Sequence, residues 1–170
     1  MSDGKSIFEW AVEYVGDPES FEARGLIMRD LLITEGLQPD DRVLELGCGA
    51  LSSGQYLVDF LDPDCYVGIE PYGWLVQTAL ESIPAMKALM VKRPKFLWRD
   101  DFDGREGGTY QYVFGHSILS HAAGWQLPLI IANARNVLNP GGKLLLSYRK
   151  GADTDAANFQ YPGVSYFSEE

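Results

Sequence analysis

The chain is predicted to be an α/β domain: a doubly wound, mostly parallel sheet of about five strands with helices on both faces. Two observations carry this. From Asp41 onward, short continuous apolar runs alternate with helical stretches, the pattern of strands buried on both faces in βαβ units. The first of these runs ends in Glu45-Leu46-Gly47-Cys48-Gly49, an acid and a glycine turn that lead into a helix. A length of 170 residues with 46% hydrophobic side chains suits a single domain over 1–170. Within it, residues 1–40 read as N-terminal helices, 41–150 as the core that carries the glycine turn, and 151–170 as an irregular tail.

Ile7, Trp10, Ala11, Tyr14 and Val15 recur at helical spacing, so an amphipathic helix opens the chain and Gly16 ends it. Asp17-Pro18-Glu19 offers an N-cap, a proline for the first helical position and an acid for the helix dipole; the second helix runs to Glu35-Gly36. Strands are expected over Arg42 to Leu46, Cys65 to Glu70, Phe96 to Trp98, Tyr110 to Gly115 and Lys143 to Tyr148. The intervening helices read as Ser53 to Leu61, Trp74 to Met90 with a kink at Pro84, and Leu127 to Leu138. Asn139-Pro140-Gly141-Gly142 is a turn before the fifth strand. After Gly151 no sixth strand is evident.

A formal charge of −10, from 24 acidic and 14 basic side chains, opposes the phosphate attraction behind most nucleic-acid affinity. The beginning of the chain lacks the apolar stretch of a secretory signal, and no run of about 18 apolar residues predicts a membrane span. A soluble, cytoplasmic protein is expected, with neither nucleic acid nor membrane as partner. Cys48 and Cys65 form no metal-binding pattern and no disulfide framework, so no metal is expected. Gly4-Lys5-Ser6 spells the end of a phosphate loop without the strand or first glycine that would complete one.

The chemistry concentrates at Val43 to Gly54. Glycines after a strand let ligand atoms lie against bare backbone, with N–H groups of the following helix pointing at them. Glu70 ends the second strand, 21 residues beyond Gly49. In doubly wound folds an acid at about this offset sits at the neighbouring strand tip and accepts hydrogen bonds from a ribose diol.

These segments resemble the class I S-adenosylmethionine (SAM) dependent methyltransferases, whose fold is Rossmann-like. Val43 to Gly49 resembles their acid and Gly-x-Gly motif, Tyr66 to Glu70 their second motif, and Leu138-Asn139-Pro140-Gly141-Gly142 their turn before the fifth strand. The match spans roughly Asp41 to Tyr148 and implies transfer of a methyl group from SAM to a small or medium acceptor, leaving S-adenosylhomocysteine. It implies that Gly47, Cys48 and Gly49 face the methionine portion, with Glu45 orienting its ammonium directly or through water. Glu70 would hold the ribose, and Pro71 and Tyr72 would border the adenine. Phe96 to Phe102 resembles the third-strand motif, in which Asp100 or Asp101 would contact the adenine amino group beside Phe102. Phe114 to His121 resembles the stretch that passes the sulfonium, which makes His116 a cofactor-lining candidate and His116 or His121 a candidate general base. Trp10, Tyr14, Trp125, Phe159, Tyr161 and Tyr166 are acceptor-side candidates.

Three departures stand against the family pattern. Leu51 replaces the third glycine and predicts a wider or differently shaped loop. Gln111 stands where an aspartate is usual. The usual fold continues with a helix and two strands, which are expected to be missing here, so Lys143 to Tyr148 becomes an apolar edge. Such an edge predicts a homodimer or a chain prone to aggregate, with a tail mobile from Gly151. The rival readings are an NAD-dependent oxidoreductase, since a glycine turn with a ribose acid also serves NAD, and a non-catalytic SAM-fold binding or scaffold subunit.

Overall fold

The computed structural model describes residues 4–151 and 164–168. Five strands, β1 (Val43–Leu46), β2 (Tyr66–Ile69), β3 (Lys95–Leu97), β4 (Tyr110–Gly115) and β5 (Leu138–Leu146), form a parallel sheet in the order β3-β2-β1-β4-β5. The helices are α1 (Ile7–Tyr14), α2 (Phe21–Thr34), α3 (Gly54–Phe60), α4 (Gly73–Ser82), α5 (Pro84–Leu89) and α6 (Gln126–Val137). Chain order reverses between β1 and β4, and at such a reversal the loops leaving adjacent strand tips part to open a crevice.

Both faces of the sheet are apolar. Val43, Tyr66, Tyr112 and Phe114 meet Met28 and Leu32 of α2 and Leu57 and Val58 of α3. On the other face Leu44, Leu46, Val67, Ile69 and Val113 meet Ile130, Ala134 and Val137 of α6. Among the described residues α6 is the helix on that face, and the segment between β3 and β4 adds to its cover: Phe102 packs into the same cluster and Tyr110 donates to the Gly104 carbonyl at 2.9 Å.

Local signals account for most boundaries. Ser6 caps α1 in a reciprocal box with Glu9, and Asp17 accepts from the amides of Glu19 and Ser20 ahead of α2. The expected long helix from Trp74 is two helices, because Pro84 clashes with the preceding turn and Ile83 turns extended. The expected fifth strand starts earlier: Leu138 already pairs with Tyr110, and Asn139 to Gly142 bulge out before pairing resumes at Lys143 with Tyr112. The apolar face assigned to α1 is also corrected. Ala11 and Val12 are buried beside Phe8 and Val15, whereas Ile7, Trp10 and Tyr14 are exposed.

Of the tail, Val164–Ser168 is described. Phe167 bridges Lys150, its amide donates to Arg149, and the Ser165 amide donates to Ser120. The segment thus lies between the stretches that follow β4 and β5. Leu144, Leu145 and Leu146 stay half-buried on the outer strand.

Where α2 crosses the turn after β1, Gly25 makes the closest approach: a Cβ there would stand 1.9 Å from the Ser52 carbonyl oxygen. Gly25→Ala is expected to destabilise the protein by roughly 1–3 kcal/mol in denaturant unfolding, despite the higher helix propensity of alanine. A neutral or stabilising result would place α2 further from the turn.

Candidate functional site

The tips of β1, β2, β3 and β4 converge on the turn Gly47 to Ser53. Gly47 (φ +67°), Gly49 (φ +51°) and Leu51 (φ +61°) are all left-handed. Leu51 therefore does not widen the loop. It keeps the conformation that favours glycine and turns its side chain into the core beside Cys48, Val76 and Met86. A Cβ at Gly47 would meet Ile118 Cδ1 at 2.6 Å, which places Ile118, in the segment that follows β4, directly against the turn.

Glu70 lies 6% exposed at the tip of β2. One carboxylate oxygen accepts from the Gly49 amide at 3.0 Å and the other from the Tyr72 amide at 2.9 Å, so the side chain bridges the β1 and β2 turns. Burial raises its affinity for a proton, and the two amides oppose this. Each oxygen keeps a further lone pair for a hydroxyl donor.

Glu45 sits 3% exposed in mid-β1, beneath the turn. Its Oε2 accepts from the Tyr66 hydroxyl at 2.5 Å. Burial pushes its carboxyl up to about 8, against the opposing pull of the Tyr66 and Ser53 hydroxyls and with the help of nearby Glu70. Cys48 is buried beside it, and its thiol is also pushed up by burial.

Beyond β3, Asp101 forms a two-pronged ion pair with Arg99 at 2.9 and 2.6 Å and accepts from the Asp103 amide, which organises the turn. Asp100 is exposed and has no ion pair among the described residues. Trp98, 57% exposed, packs over Gly73 opposite exposed Tyr72. Tyr72 also meets Tyr14 of α1 edge to face, with ring centres 6.0 Å apart, and Tyr14 meets Trp74 at 5.8 Å.

The comparisons fit this geometry. No protein-family profile matches the chain. In sequence it is 27% identical over 158 residues to tenellin synthetase from Beauveria bassiana (strain ARSEF 2860), a stretch that covers 84% of this chain and 4% of that protein. Among solved structures it is similar to magnesium protoporphyrin IX methyltransferase from Synechocystis PCC 6803 with bound SAM, at a TM-score of 0.65 and 17% identity, covering 99% of this chain and 70% of that one. It is also similar to the glycopeptide N-methyltransferase MtfA, at 0.63 and 17%, covering 78% of this chain and 55% of that one. The chain carries a methyltransferase fold. It spans about two thirds or less of the length of several of these structures, with 57% coverage of the CcbJ methyltransferase from Streptomyces caelestis.

Gly47, Cys48, Gly49, Glu70, Pro71, Tyr72 and Asp100 follow the tips of β1, β2 and β3. Glu45 lies beneath the turn, engaged by Tyr66, and Asp101 is engaged by Arg99. Phe102, left-handed at φ +59°, packs into the core under the site. His116 follows β4 directly and is half-buried; burial, with Arg24 second, lowers its proton affinity and leaves the ring neutral near pH 7. His121 ends a short helical turn over Leu119–His121 and is exposed. Trp125 and Tyr166 are exposed, and Phe159 and Tyr161 lie outside the described residues. A shallow hollow on α6 is lined by Leu127, Pro128, Ile131 and Arg135, none of them a residue of the glycine turn.

Sequence reasoning passed over Tyr66 and Trp98. The signal for Tyr66 was the alternation Tyr66-x-Gly68 on β2 beside Val43-x-Glu45 on β1, which puts a long phenol, a vacancy and an acid on one face of the sheet.

A carboxyl that holds its proton more tightly when folded stabilises the fold fully at low pH and loses that contribution as pH climbs from its ordinary 4.5 to about 8. Wild type is therefore expected to lose roughly 3 kcal/mol relative to Glu45→Gln between about pH 5 and pH 8. Denaturant midpoints of both proteins across that range check this, and a difference independent of pH would contradict it.

Proposed function

We propose that the chain is a SAM-dependent methyltransferase domain that moves the methyl group to a small or medium acceptor. The observation that carries the reading is Glu70: a nearly buried carboxylate, held by the Gly49 and Tyr72 amides at the tip of β2, with acceptor capacity left for a vicinal diol. Its neighbours match the rest of a nucleoside. Tyr72, Pro71 and Trp98 offer flat and apolar borders for adenine, and exposed Asp100 offers an acceptor for its amino group.

The residues present fit SAM, which when bound supplies a methyl group already activated for displacement. Glu70 binds the ribose hydroxyls and fixes the nucleoside end. Gly47, Cys48 and Gly49 present backbone to the methionine portion, with Glu45 below. What remains for the protein is to hold an acceptor in line and exclude water, which packing and shape perform. Neutral His116, next to β4, is suited to accept a proton from the acceptor; His121 is the exposed alternative, one turn further out. Trp10, Tyr14, Trp125 and Tyr166 offer aromatic surface on the acceptor side.

Calorimetric titration is expected to detect SAM and S-adenosylhomocysteine and no NAD. Glu70→Ala should weaken SAM by roughly 1–3 kcal/mol, about 5- to 150-fold, in a folded protein. Unchanged affinity would remove Glu70 from the site, and NAD in preference to SAM would replace the reading with a dehydrogenase.

We also infer self-association along β5, whose outer backbone groups from Leu138 to Leu146 have no strand partner among the described residues. Light scattering is expected to show a dimer, and a monomer at high concentration would oppose it. No helix among the described residues is long and apolar enough to cross a membrane.

A further inference from the structure

Glu45 is a buried acid without a cation. Among the described residues every ion pair lies elsewhere, and its carboxyl accepts from hydroxyls, that of Tyr66 at 2.5 Å and that of Ser53. The sheet builds the Tyr66 contact deliberately. Glu45 pairs with Gly68 across β1 and β2, and Tyr66 stands two residues before Gly68 on the same face. With no side chain at 68, the phenol reaches forward along the strand. A Cβ at Gly68 would come 3.2 Å from its hydroxyl, and one at Gly54, the first residue of α3, would come 2.6 Å from it. Gly68 thus leaves room for the Cys48 thiol, whose Sγ an added Cβ would meet at 2.7 Å, and together with Gly54 for the Tyr66 hydroxyl that reaches the Glu45 carboxyl under the backbone of Gly47 to Gly49.

We propose that Tyr66 is a positioning residue for Glu45, and that a ligand ammonium arriving over the glycine turn displaces the proton of the Glu45 carboxyl to solvent, so that ligand binding and proton release are coupled. This rests on the SAM reading above. The exchange balances: the O–H bond of the acid breaks, the proton leaves to water or buffer, and the carboxylate left behind pairs with the incoming ammonium. The groups facing Glu45 agree. From β2 come the Tyr66 phenol and, at its tip, the Glu70 carboxylate; from the turn come the Cys48 thiol and the Ser53 hydroxyl. None is cationic, so the charged form of Glu45 lacks a counterion until a ligand brings one. The tyrosine hydroxyl favours that charged form by one hydrogen bond and keeps the acid within reach of exchange.

The test uses S-adenosylhomocysteine, which carries the ammonium and is not consumed, on the intact chain. Titrations in buffers of different ionisation heat at about pH 7 should show about one proton released per ligand, with affinity rising about tenfold per pH unit between about pH 5.5 and 7.5. Methylthioadenosine, which keeps the nucleoside and lacks the amino acid, should bind with no proton release. Tyr66→Phe should move the affinity profile to higher pH, and Glu45→Gln should flatten it. An infrared band of a protonated carboxyl that vanishes on ligand addition gives the same readout in the unmodified protein, should either variant fail to fold. Binding of S-adenosylhomocysteine with no proton release overturns the coupling alone. Failure of both nucleosides to bind at every pH overturns the coupling together with the SAM reading.

Discussion

The turn after β1 is the constraint on which the surrounding elements depend. Three left-handed residues within five positions, Gly47, Gly49 and Leu51, reverse the chain at the strand tip, and the cost at Leu51 is of the order of 1 kcal/mol because it has a Cβ. Burial of the leucine side chain in the cluster with Cys48, Val76 and Met86 offsets that cost. Each neighbour then attaches to the turn's backbone. The Cys48 amide donates to Ile69, the Gly49 amide to Glu70, and the Ser52 hydroxyl to the Phe21 carbonyl of α2. Gly25 lets α2 lie against Ser52, and Val15 at the end of α1 rests on Gly49. One tight loop thereby fixes both N-terminal helices and the tip of β2.

What was legible in the sequence follows from the range of the interactions involved. Strand periodicity and caps are local, so β4 appears with the expected bounds; Asp17 caps as expected, but the turn it starts, Pro18–Ser20, is 3-10 and α2 itself begins at Phe21. Strand pairing is not local. The early start of β5 depends on Leu138 meeting Tyr110, and nothing near Leu138 announces it. The face of α1 was misassigned because aromatic residues were counted as core: Trp10 and Tyr14 fit a helical stripe, yet the stripe that meets the body is Phe8, Ala11, Val12 and Val15. Tyr14 instead joins Tyr72 and Trp74 at the surface, where an aromatic ring serves a mouth as well as a core.

The site was legible in its types and less so in its assignments. A glycine turn followed by an acid at the proper offset identified Glu70, whose geometry is fixed by backbone amides. Asp100 and Asp101 are equivalent as letters. Arg99 separates them, because a guanidinium can grip only one of two adjacent carboxylates in a fork, and the one it grips is drawn into the turn with Asp103. The role of Tyr66 needs β1 and β2 side by side, since its meaning lies in Glu45 and Gly68 rather than in its own surroundings in sequence.

The proton affinities of Glu45 and Glu70 are both raised by burial, and the two acids differ in the donors that meet them. At Glu70 the two amides that oppose burial come with the fold and aim its oxygens before any ligand arrives. Glu45 meets neutral hydroxyls, and burial outweighs them. The asymmetry is useful because the charges of a nucleoside ligand are asymmetric too. A ribose diol is neutral and needs an acceptor whose oxygens are already aimed. An ammonium is charged, and a buried carboxylate standing alone would cost several kcal/mol to keep ready for it. Storing that acid as its neutral form removes most of the cost from the free protein and transfers it to the moment of binding, when a counterion is present.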